Sequence, residues 1–226
     1  MNKQTRMFQW IGGLGIVFAV LFVAAQALVG NEPSTTASGA AVLKYYQAHR
    51  QTETAAVFVI AAACIAFTFF LGSLRRKLGS SPDGRQLSSV LAVGGAVYAG
   101  GLLLLGVFTV AAVDAAHQGM TSAAQTLNVL ASDDWLPVVV GLSIVSLSTG
   151  IAAVRGRTLP RWLAWASIAL GILALAGPLG AIAFLLAPLW TLATGIVLMR
   201  SPAAEPASQA SQTAGVPSPS LSQVTG

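Results

Sequence analysis

The chain has 226 residues, of which 55% are hydrophobic and only 8% charged, and its mean hydropathy is +0.74. Soluble domains carry about 25% charged residues, so most of this surface faces something other than water. A net charge of +5 does not point to nucleic acid, because the basic residues sit at the ends of apolar runs, as membrane insertion requires. A single cysteine, Cys64, excludes an intrachain disulfide and any cysteine-based metal motif.

Uncharged stretches run over Met7–Asn31, Thr54–Leu74, Gln86–Val113, Trp135–Val154 and Trp162–Met199. As one straight helix the last, 38 residues long, would extend about 57 Å. That is nearly twice a hydrocarbon core of about 30 Å. The breaker cluster Gly177-Pro178-Leu179-Gly180 divides it into a hairpin. The reading is all-α: a membrane bundle of six helices near 9–30, 54–74, 88–113, 135–154, 162–177 and 181–199. Residues 9–200 form the membrane domain and 1–8 a cytoplasmic N-terminus. Residues 201–226, rich in Pro, Ala, Ser and Gln, form a disordered cytoplasmic tail.

The charges fit that count. Lys3, Arg6, Arg75, Arg76, Lys77, Arg85, Arg155, Arg157, Arg161 and Arg200 fall on one side, 10 of the 12 Lys and Arg residues. That side is then cytoplasmic, with both termini, in a plasma membrane. Lys44 and Arg50 lie opposite, with Glu32, Glu53, Asp114, Asp133 and Asp134. The first helix has a rival reading as a signal peptide ending at Ala25-Gln26-Ala27, but Met7–Val29 is longer than the usual core of about 7–15 residues.

The two long outer connections carry helices of their own. Ala40-Ala41-Val42-Leu43-Lys44-Tyr45-Tyr46 suits a helix at the interface, with both tyrosines at headgroup depth. Ser122-Ala123-Ala124-Gln125 fits a capping box, and Ala124, Leu127 and Leu130 would share the apolar face that follows. Asp133 or Asp134 would cap the fourth span ahead of Pro137. The exposed apolar faces of these two connections predict that they fold together as a lid.

The constellations that carry chemistry are sparse. No expected span holds an ionisable residue in its middle, and Asp114, at the outer end of the third, comes closest. His49 and His117 are the only histidines and have no recognised ligand spacing, so neither a metal nor a haem is expected. Ser143, Ser146 and Thr149 line one side of the fourth helix. They suit helix packing better than a polar path, and no general base lies at their depth. Gly95, Ala99 and Gly106 form a small-residue stripe for close helix packing. Pro188 breaks the ladder of the last helix, and Trp190 lies deep enough to pack between helices. No catalytic residue or cofactor site is assigned. Tyr45, Tyr46, His49, Asp114 and His117 mark an extracytoplasmic surface for a ligand or partner.

The glycine-rich first helix, the Tyr45-Tyr46 pair, Leu74-Arg75-Arg76, Val93-Gly94-Gly95-Ala96-Val97-Tyr98 and Leu159-Pro160-Arg161-Trp162-Leu163 together resemble a family of uncharacterised six-helix bacterial integral membrane proteins. The resemblance covers about residues 8–200. It implies the six-helix topology and brings no activity, cofactor or catalytic residue. The function expected is a non-enzymatic scaffold, accessory or binding role, with the lipid bilayer and a membrane-protein partner or a second copy as associates. The alternative is a small transporter or channel for a neutral or weakly polar solute.

Overall fold

A computed structural model describes residues 3–200, with side chains from residue 12 onward except that of residue 83. The tail 201–226 lies outside the described residues. The fold is all-α, with helices α1 (Lys3–Leu28), α2 (Gly39–Ala48), α3 (Arg50–Leu78), α4 (Pro82–His117), α5 (Thr121–Asp133), α6 (Trp135–Gly156), α7 (Arg161–Ala174) and α8 (Gly180–Arg200). A single 3-10 turn, Gly177–Leu179, joins the last two.

Four stretches are long and apolar enough to cross a membrane: Arg50–Leu78, Gly84–His117, Thr121–Gly156 and Gly177–Arg200. By length and composition this is a multi-pass membrane protein. The expectation of six such helices is corrected. The apolar stretch Gly12–Leu28 of α1 and the whole of α7 are shorter. The fifth expected span, 162–177, stops at Ala174, because Gly177 takes a left-handed φ of 60° ahead of Pro178. The 14 residues of α7 rise only about 21 Å.

The other expected boundaries were too tight. α1 begins at Lys3, and α3 starts at Arg50 rather than 54 and runs on through Arg75, Arg76 and Lys77. α4 takes in Asp114 and His117. Charged residues end an apolar run without ending the helix, since a helix satisfies its own backbone on both sides of a polar boundary. Local signals set the true ends. Ser81 accepts a bond from the Gly84 amide at 3.1 Å with Pro82 in the first turn of α4, and Arg157 closes α6 in the left-handed conformation at φ 50°.

The helices pack as a triangle. α3, α6 and α8 meet at the centre, α1 lies between α3 and α8, α4 between α3 and α6, and α7 between α6 and α8. Lipid provides no hydrophobic drive between helices, so close backbone approach carries the packing. Glycines supply it on both sides of the α4–α6 seam. A Cβ on Gly141 would run into the backbone of Tyr98, and one on Gly101 would sit 2.9 Å from Val138 Cγ2. Gly95 lies against Leu71 and Gly106 against Val57, so the small-residue stripe of α4 faces α3. Ala99 belongs to the same seam, its carbonyl 3.9 Å from Cys64 Sγ. On the other side Gly15 and Gly195 bring α1 against α8.

Aromatic rings fill the centre. Phe18 lies 4.9 Å from Phe67, which lies 5.0 Å from Tyr98, and Phe70 meets Trp190 edge-on at 6.4 Å. Trp190 packs between helices as expected and donates to Ser167 Oγ at 2.8 Å. Ser143 donates across to the Gly171 carbonyl at 2.8 Å, and Thr149 bonds back to Val145 at 2.7 Å. Ser146 is buried with no partner among the described residues. The outward surface is apolar, with Phe58 71% and Leu185 63% exposed, which suits lipid rather than water.

The seam gives a direct test. Gly141→Leu should destabilise the protein by about 1–3 kcal/mol in reversible denaturation from detergent, because its branches have no space beside Tyr98. Gly100→Ala, where a methyl meets nothing within 4 Å, should be neutral or stabilising by up to about 1 kcal/mol.

Candidate functional site

The end of the bundle opposite the α3–α4 and α6–α7 connections is covered by α2 and α5. Each has a buried face at helical spacing, Val42 and Tyr46 on α2 and Ala124 and Asn128 on α5. These residues close a second small core with Ala112, Val113, Ala115 and Ala116 from the end of α4. The two long connections therefore do fold together.

Several details differ from the sequence reading. α2 turns Tyr46 into protein, where it is 1% exposed, rather than toward headgroups. α5 buries Asn128 and leaves Leu130 44% exposed, so the face expected from Ala124, Leu127 and Leu130 is rotated. The capping box does not form: α5 starts after Met120 without a side-chain cap, and Gln125 Nε2 instead donates to the Ala37 carbonyl at 3.1 Å. Asp134 occupies the cap position of α6 without making a cap bond.

Polar side chains knit the cap. The Tyr46 hydroxyl donates to Asn128 Oδ1 at 3.0 Å, and Asn128 Nδ2 reaches the Pro33 carbonyl at 3.3 Å. Gln47 Nε2 donates to the Ala116 carbonyl at 2.9 Å, tying α2 to the end of α4. The Tyr45 hydroxyl donates to Glu53 Oε1 at 2.6 Å, tying α2 to the first turn of α3. Gly30 passes over that hydroxyl, its Cβ position 3.0 Å from Tyr45 Oη.

Glu53 is the residue that sequence reasoning missed. It is 0% exposed, whereas Asp114, expected to be the most membrane-like acid, is exposed. In the sequence Glu53 reads as an ordinary acid in the first turn of a helix, where the dipole welcomes it. Its only distinguishing signal is its place at the boundary of a long apolar run beneath a tyrosine-bearing segment.

Of the residues expected to form the site, Tyr45, Tyr46 and His49 come together. Tyr45 stacks on His49 at 4.4 Å and meets Tyr46 edge-on at 5.2 Å. Asp114 and His117 lie exposed on the last turn of α4, outside this hydrogen-bond network. Burial, and then the nearby carboxylates, push the Tyr45 and Tyr46 hydroxyls well above the usual tyrosine range, so both remain proton donors. Glu32 keeps one side open to solvent, yet crowding of its carboxyl, and then the charge of Glu53, raise its pKa. Among the described residues no group of three or more His, Cys, Asp or Glu side chains comes together to hold a metal ion.

The architecture is thus that of a helical membrane protein with a folded cap. No family model matches the chain, and neither does any curated protein or solved structure.

Two outcomes follow for the cap. Tyr46→Phe leaves Asn128 Oδ1 buried without its donor, a cost of about 1–3 kcal/mol. Hydrogen exchange should speed up in α2 and α5 and stay unchanged in α6. Glu32 has a raised folded pKa, so its protonated form favours the fold. That stabilisation is present below the ordinary value of 4.5 and is lost as pH rises through the folded value. Glu32→Gln should therefore denature at a higher temperature than the parent at neutral pH, with the difference closing in acid.

Proposed function

We propose that this is a non-enzymatic integral membrane protein whose closed bundle supports an extracytoplasmic cap, and that the cap is where a ligand or partner binds. The observation that carries the reading is the contrast between the two parts. The bundle centre is filled by Phe18, Phe67, Phe70, Tyr98 and Trp190, while the cap concentrates the polar network of Tyr45, Tyr46, Glu53 and Asn128. Membership of the six-helix bacterial family that the sequence resembles belongs to the same proposal.

In this reading the chain crosses a plasma membrane through its four long apolar stretches, with α1 and α7 packed alongside them. Two contacts support it. Gly12 of α1 lies beside Leu198 and Met199 at the end of α8, and Gly171 of α7 lies beside Leu147 of α6. Both shorter helices thus run alongside full-length ones. Gly156 touches Ser81, so Arg75, Arg76, Lys77, Arg85, Arg155, Arg157 and Arg161 lie on the helix ends and turns at one end of the bundle. That end is cytoplasmic by the positive-inside rule, and so are both termini.

A second reading, a small transporter or channel for a neutral or weakly polar solute, is favoured by one observation. The hydroxyls of Tyr98, Ser146 and Thr194 are buried without partners among the described residues, and such groups could meet a passing solute. Proteoliposome swelling separates the two. The proposed role predicts that vesicles holding the protein take up glycerol and urea no faster than empty ones. A several-fold faster uptake, abolished by Ser146→Leu, would establish the transport reading instead.

A further inference from the structure

Seven of the 12 Lys and Arg residues lie at two turns, α3–α4 and α6–α7, that are far apart in the sequence. A Cβ on Gly156, at the end of α6, would run into Ser81, the cap of α4, so the two turns sit side by side. Each is anchored by a buried core leucine, Leu78 in one and Leu159 in the other. Arg85 lies back over the α3–α4 turn, its Cγ 3.9 Å from the Cβ position of Gly79. Arg155 belongs to the last turn of α6, and Arg161 opens α7. All three arginines are exposed. No acidic residue occurs between Asp134 and Glu205, and among the described residues no carboxylate meets Arg155 or Arg161. Membrane orientation requires basic residues near span ends, but not that two distant turns converge. A further feature lies just below. Trp162 and Trp165, next to Arg161 on α7, are 60% and 61% exposed. The same helix face continues to Ile172, also exposed, so an apolar lane runs down the bundle from the basic end.

We propose that the converged turns are a binding site for an acidic phospholipid. Arg85, Arg155 and Arg161 surround its headgroup, and Trp162, Trp165 and Ile172 lie along its glycerol and acyl chains. Guanidinium forks match phosphate oxygens in pairs, and basic residues at the end of a span draw acidic lipids to the surface. Tryptophan suits headgroup depth, where one edge of the ring is apolar and its N–H can still donate. α7 also starts after Pro160 with no side-chain cap, which leaves its first amides for an anion. The apolar lane decides between lipid and free anion. A soluble phosphate would use the arginines and leave the lane uncovered, whereas a lipid uses both. The site requires the bundle to lie in a bilayer and does not depend on what the cap binds, so lipid binding and solute flux can fail separately.

The test uses the full chain in a neutral detergent, with bound lipid counted by native mass spectrometry. Dioctanoyl phosphatidylglycerol is titrated beside dioctanoyl phosphatidylcholine, which has the same chains and no net charge. The parent should bind its first phosphatidylglycerol about tenfold more tightly than its first phosphatidylcholine. Arg155→Gln combined with Arg161→Gln should lose most of that preference. Lys44→Gln combined with Arg50→Gln removes the same charge from the opposite end and should retain it. Equal binding of the two lipids to the parent, or the same preference in both double variants, would overturn the proposal. So would displacement of phosphatidylglycerol by an excess of inorganic phosphate, which would mark a site for a free anion. If the Arg155 and Arg161 double variant does not fold, the parent in phosphatidylcholine nanodiscs decides. Phosphatidylglycerol with brominated chains should quench tryptophan fluorescence more than brominated phosphatidylcholine at the same low mole fraction, and equal quenching would overturn the proposal.

Discussion

Backbone groups in hydrocarbon have no water to turn to, and that constraint governs this molecule. Each long apolar run closes its own hydrogen bonds as a helix, and the helices must then find one another without a hydrophobic drive. Shape does the work. Gly141 against the Tyr98 backbone, Gly95 against Leu71 and Gly15 against Phe70 let helix axes approach until the aromatic rings between them interlock. Side-chain bonds such as Ser143 to Gly171 add direction more than energy, since such bonds average about 0.6 kcal/mol in membranes.

The cap obeys different rules. α2 and α5 are too short, at 10 and 13 residues, to be stable alone, and each depends on burying one face. Their small core holds mostly alanine and valine, so it offers modest apolar area. Hydrogen bonds across elements therefore carry a larger share of the specificity here than in the bundle. Tyr46 to Asn128, Gln47 to Ala116 and Gln125 to Ala37 set which faces meet, and Tyr45 to Glu53 fixes the cap to α3.

The bundle was legible because charge-free runs and breaker residues are local signals. The Gly177-Pro178 break and the positions of α3, α4, α6 and α8 could be read directly. Helix lengths could not, because Lys77 or His117 can stay helical while marking a polar boundary. The cap was half legible. Apolar faces on both connections implied that they meet, but the bond from Tyr46 to Asn128 joins residues 82 apart. Local patterns misled where a distant partner competed for the same group. Gln125 looked like a capping side chain and instead bonds Ala37. Glu53 escaped notice because its burial is imposed by α2, which lies outside its own helix.

The central claim is that α2 and α5 form one cap folded onto the bundle. Gly39 and Thr121 test it most directly, since a Cβ on Gly39 would lie 2.6 Å from Thr121 Cγ2. Disulfides need Cβ atoms about 3.5–4.5 Å apart, so Gly39→Cys with Thr121→Cys places two thiols within bonding reach. With a protease site in the 79–81 connection, mild oxidation in native membranes should leave the cleaved halves joined on a non-reducing gel. Each single cysteine variant should fall into two fragments. Complete separation of the double variant after oxidation would contradict the account.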